Sequence, residues 1–106
     1  MIVTTSENIA GKPVKRTLGL VRGNTIRARH LGKDITAAIR NMVGGEISEY
    51  TKLMAEAREQ AIDRMVEEAR SLNADAIVGV RFSTSMVMSA AAELLAYGTA
   101  VQFEDG

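Results

Sequence analysis

Apolar side chains recur along this chain with two different periods, and the points where the period changes mark its elements. Ile2 to Thr5 is a short β-type run, after which Asn8, Gly11 and Pro13 supply turn chemistry. From Val14 to Ala28 large residues alternate with others, predicting a long strand with a break or bulge near "RGN". Gly19 and Gly23 fall on one face of that strand, where another backbone could approach closely. Asp34 then offers a helix N-cap, and Ile35, Ala38, Ile39 and Met42 follow at helical spacing before Gly44 and Gly45, predicting a short amphipathic helix.

The spacing next predicts a long helix from about Glu46 to Leu72, without glycine or proline inside it. Its apolar stripe is Ile47, Tyr50, Met54, Ala57, Ala61, Met65, Ala69 and Leu72. The opposite face is charged, with Lys52 and Glu56, and Arg64 and Glu68, placed to pair one turn apart. Asn73 is suited to a left-handed C-cap, and from Ala74 to Val87 the period falls to two. Val78, Val80 and Phe82 are expected to meet the helix, leaving Gly79, Arg81, Ser83 and Ser85 to a neighbouring subunit or a ring lumen. Gly79 reads as a point of close approach. In the last strand, Glu93 to Phe103, the row of Ala and Gly at even positions suits a close-packed neighbour. The whole is one α+β domain over residues 1–106, a two-layer sandwich of antiparallel sheet covered by a long and a short helix.

Composition narrows the chemistry. With 106 residues, two Phe, two Tyr and no Trp, the core rests on aliphatic residues and Met, and a chain this small gains burial from partners. The absence of cysteine excludes disulfides, thiolate metal sites and cysteine nucleophiles. No leader-like or membrane-spanning apolar run is present, so a cytoplasmic location is expected, without membrane association. Formal net charge is zero, yet residues 1–45 carry eight Lys or Arg against Glu7 and Asp34. No aromatic residue interleaves these basic ones, which disfavours a nucleic-acid footprint and favours the two halves of the chain facing each other.

Candidates for catalysis are sparse. "GLVRGN" lacks the spacing of a phosphate loop, and no G-x-S-x-G elbow occurs. The single histidine, His30, sits among Arg27, Arg29 and Lys33, whose charges oppose a bound cation. His30, Asp34 and Glu49 are the weak metal-ligand set, and no catalytic residues or firm cofactor are expected.

Three ordered stretches carry a family resemblance. They are the run Asp34, Ile39, Arg40, Val43, Gly44, Gly45, Tyr50, the strand "ADAIVGV" (Ala74 to Val80), and "GTAV" (Gly98 to Val101). Together they make the chain resemble the YbjQ family, labelled heavy-metal-binding, over essentially its whole length. The resemblance implies a dodecin-like subunit whose sheets join in a ring, commonly a homopentamer. Some relatives place a cysteine near the position of Leu18 and acids where Arg81, Ser83 and Ser85 stand, so both ligand sets are replaced here. The expectation is a non-enzymatic, ring-forming homo-oligomer that could hold a metal ion or small ligand between subunits or in its channel. Asp34, Arg40, Tyr50 and Arg81 are its ligand or interface candidates. Two alternatives stand beside it: an enzyme with an intersubunit site built on His30, Asp34 and Glu49, and binding of nucleic acid or another anionic partner through the basic first 45 residues.

Overall fold

A single helix lies across one face of a four-stranded sheet in the computed structural model, which describes residues 1–27, 48–88 and 91–104. The short helix expected after Asp34 lies outside the described residues. The strands are β1 (Ile2–Val3), β2 (Val14–Arg27), β3 (Ala76–Met88) and β4 (Ala91–Phe103), and the helix α1 is Ser48–Ser71.

α1 forms where the apolar stripe is longest. Ala57, Ala61, Met65 and Ala69 are fully or almost fully buried, while Lys52, Glu56, Glu59, Asp63, Glu67 and Arg70 are exposed. The stripe is mostly alanine, so the helix can sit close to the sheet. Leu72, the last member predicted for it, is 40% exposed, because the helix has already ended. The ending is a Schellman motif: the Ala74 N–H donates to the Ala69 carbonyl at 3.1 Å and the Asn73 N–H to the Arg70 carbonyl at 3.0 Å. Asn73 takes the left-handed conformation this requires, with φ 62°. Gln102 fastens the turn by donating its Nε2 to the Asn73 carbonyl at 2.9 Å.

The sheet order is β1-β3-β4-β2, with β3–β4 and β4–β2 antiparallel and β1–β3 parallel. The expected antiparallel sheet is therefore a mixed one. Its cause is the segment between β1 and β2, which runs across the sheet to the opposite edge instead of folding back as a hairpin. Ile9, within that segment, packs against Ala76, Val78, Val101 and Phe103.

β4 is paired on both sides along nearly its whole length and its alternation is strict. Ala92, Leu94, Ala96, Gly98 and Ala100 are buried toward α1, and Leu95, Tyr97 and Thr99 are half-buried on the other face. The row of small residues expected to suit a close-packed neighbour meets the protein's own helix. Together with Val21, Met65, Ile77 and Val80 it forms the main core. β2 contributes Val21, Gly23 and Thr25 to the same side. A Cβ on Gly23 would run into the Ala61 carbonyl and the Met65 amide, so this glycine lets β2 touch the helix backbone. The irregularities of β2 lie between Val14 and Arg16 and between Thr17 and Gly19, not at "RGN". Gly19 serves there through its φ of 118°, with open space where a side chain would be.

Gly79 is likewise a backbone device. Its φ is 63°, nothing lies within 4 Å of a Cβ built on it, and the β3–β4 register shifts between Val78 and Arg81. This bulge changes the phase of β3. Ile77 and Val80 face the helix, whereas Val78 joins Ala76 on the opposite face. The predicted common face of Val78, Val80 and Phe82 is therefore split. Phe82 stands on the helix side but is 45% exposed, because α1 lies mainly over β2 and β4 and scarcely reaches β3.

Candidate functional site

The face of the sheet turned away from α1 carries a set of polar residues that strand pairing brings together. Alternation and register decide its composition. Arg22 lies between the inward-facing Val21 and Gly23, and Tyr97 between Ala96 and Gly98, so both project to the open face. Tyr97 is directly opposite Arg22 on β2 and Arg81 on β3. Asn24, Leu95 and Ser83 form the next row, and Ile26, Glu93 and Ser85 the row after it. Among these, Asn24 donates its Nδ2 to Glu93 at 3.3 Å.

Arg81 is fixed to the main chain. Its Nη1 donates to the Thr5 carbonyl at 2.9 Å and to the Val80 carbonyl at 2.8 Å. The segment after β1 is anchored beside it, since the Gly79 N–H donates to the Ser6 carbonyl at 2.8 Å and the Val80 N–H to the Thr4 carbonyl at 3.0 Å. The left-handed turn at Gly79 permits this arrangement, because it lets β3 meet the N-terminal segment and then resume pairing with β4.

Between that segment and the start of β2 the open face is hollowed into a groove of about 480 Å³. Val14, Val78 and Val101 supply its apolar surface, Thr17 and Thr99 its hydroxyls, and Glu7 and Asn8 its N-terminal rim. In the sheet, Thr99 is two residues from Tyr97 and pairs with Leu20 and Val78, so the groove adjoins the Arg22–Tyr97–Arg81 row.

Of the residues singled out from the sequence, Arg81 is in this site. Glu49 and Tyr50 belong to the first turn of α1. His30, Asp34 and Arg40 lie outside the described residues. Arg22 and Tyr97 escaped notice because nothing in linear order links them. The signal that could have found them is register, since period-two strands put one residue of each on a common line.

A family model named YbjQ and described as "Putative heavy-metal-binding" matches residues 1–104. The chain belongs to the YbjQ family. A UPF0145 protein of Methanosarcina acetivorans is 61% identical over 102 residues, covering 96% of each chain. UPF0145 proteins of Thermosipho africanus and Archaeoglobus fulgidus are 57% and 56% identical, over 98% and 96% of this chain and 96% and 94% of theirs. A crystal structure from Pediococcus pentosaceus, titled as a protein of unknown function in the DUF74 family, superposes with a TM-score of 0.67 over 98% of both chains. At 18% identity that likeness concerns the fold.

Among the described residues no three His, Cys, Asp or Glu side chains gather in a way that could hold a metal ion. With no cysteine anywhere in the chain, a soft heavy metal has no thiolate to bind. The described residues therefore do not fit a heavy-metal site. No described helix is long and apolar enough to cross a membrane.

Proposed function

We propose that this YbjQ protein is a non-enzymatic subunit of a homo-oligomeric ring, a pentamer by its family resemblance, with ligands held between subunits or on the surface lining the channel. The observation that supports it is the outer edge of β3. β1 and the residues after it pair with this edge only as far as Val80, and from Arg81 to Met88 no described strand continues the sheet. That stretch presents Phe82 and Met86, 45% and 65% exposed. A long unpaired edge with apolar side chains is a template for another chain. The other edge, β2, is interrupted by two irregularities, and Arg64 of α1 donates to its Asn24 carbonyl. Two unlike edges favour a head-to-tail contact, which closes into a ring, over a two-fold dimer.

Light scattering coupled to size exclusion tests this directly. A mass near five times 11.4 kDa supports the reading, and a monomer at micromolar concentration overturns it. The double variant Phe82→Lys, Met86→Lys should retain the circular dichroism of the native chain and lose the high-mass species. An unchanged mass would remove β3 from the interface.

A further inference from the structure

We propose that the open sheet face is a binding site for a small organic oxyanion, its charged head on the Arg22–Tyr97–Arg81 row and its apolar body in the adjoining groove. Two cationic side chains flank a phenol on three adjacent strands, with their backbones in one line. Neighbouring strands lie about 4.8 Å apart, so the arginine backbones are separated by roughly 10 Å, with the Tyr97 strand between them. Neither arginine has an ion-pair partner among the described residues, and Arg22 has no described hydrogen bond of any kind. Arg81 is already held through Nη1, which leaves Nε and Nη2 to donate from a fixed position. Tyr97, on the strand between them, brings a hydroxyl donor to the same face. Such a set recognises a carboxylate or phosphate oxygen far better than a metal ion.

The groove decides what the oxyanion is attached to. Val14, Val78 and Val101 are apolar, Thr17 and Thr99 can bond to one or two polar atoms, and about 480 Å³ exceeds the needs of a bare inorganic ion. Glu7 on the rim opposes a second negative charge there. The ligand therefore carries its charge at one end. All these residues belong to one chain, so the site does not depend on ring formation.

Isothermal titration with phenyl phosphate and with inorganic phosphate tests the site, with mass measured on the same samples so that loss of assembly and loss of binding are read separately. Phenyl phosphate should bind several-fold tighter than inorganic phosphate, and equal affinities would overturn the role of the groove. Arg22→Gln should weaken phenyl phosphate by about tenfold, and Tyr97→Phe by a smaller factor. Arg81→Gln also releases Thr5, so Arg22→Gln, which touches no described partner, is the deciding variant. An unchanged affinity in Arg22→Gln, or no heat with phenyl phosphate at about 10 mM, overturns the proposal. Glu7→Gln should leave affinity unchanged or raise it, and a fall would overturn the assignment of charge along the groove.

Discussion

Glycines of this chain do three separate jobs, and substitution separates them. At Gly79 an alanine meets no neighbour but must adopt φ near 63°, which costs about 1–2 kcal/mol. At Gly23 the same change drives a methyl into the backbone of α1 at Ala61 and Met65, which cannot move aside as a side chain would. Gly23→Ala should therefore destabilise the protein by about 3 kcal/mol or more, clearly beyond Gly79→Ala, as measured by urea denaturation. Gly98 is the third case, where an added Cβ would lie 2.8 Å from Cγ2 of Ile77 and 3.0 Å from the Val78 carbonyl. Thr25 presents the opposite situation. Its hydroxyl is buried with no hydrogen-bond partner among the described residues, and it contributes little but a desolvation penalty. Thr25→Val should raise stability by about 1 kcal/mol in the same measurement.

Secondary-structure elements were legible to the extent that their signal was local. The α1 stripe and its Asn73 terminus can be read by spacing, since helix periodicity and left-handed caps depend on near neighbours. Asn73→Gly should be neutral or slightly stabilising and Asn73→Ala should cost about 1 kcal/mol, a contrast that thermal denaturation will show. The faces of β3 beyond Gly79 were legible from alternation, with Val80 and Phe82 on the helix side and Arg81, Ser83 and Ser85 opposite, but the place of Val78 was not, because the bulge at Gly79 shifts the phase between the two halves of the strand. Nothing in "AIVGVRF" distinguishes a Gly that turns the chain from one that admits a neighbour. The small residues of β4 were legible as a close contact but not as a contact with α1, since the identity of a partner is a tertiary fact. The same limit hid Arg22 and Tyr97: they become a pair only when β2, β4 and β3 are laid in register. The cation of Lys12 over the Phe103 ring, 5.6 Å from its centroid, is another neighbour pair of that kind.

As a whole the molecule is extended. Its Cα radius of gyration is 17.1 Å, with extents of 54 × 28 × 16 Å, whereas a compact domain of about 100 residues has a radius near 13 Å. Strands of 13 and 14 residues, which outrun the cover α1 provides, lengthen the molecule. Ile26 and Leu20 on the open face are 56% and 60% exposed, adding to Phe82 and Met86 on the other. Such a shape is costly for an isolated monomer and ordinary for a subunit. Dissociation of the proposed assembly by dilution should therefore lower the melting temperature, and a melting temperature independent of concentration would count against an obligate oligomer.

The position of β4 between β3 and β2 also sets an order of events in synthesis. β2 is among the first strands made, yet its partner is the last, so Val14 must wait for Phe103. Until then its inward residues Val21, Gly23 and Thr25 have only the helix to lean on. Pairings so distant along the chain make for slow folding, and they leave an early strand unsheltered on the ribosome. A chain stopped after Met88 would hold every residue of α1 and β3 and still lack the strand that joins β3 to β2. Its failure to give a protease-resistant fragment would show that this protein becomes a folded body only with its final thirteen-residue strand.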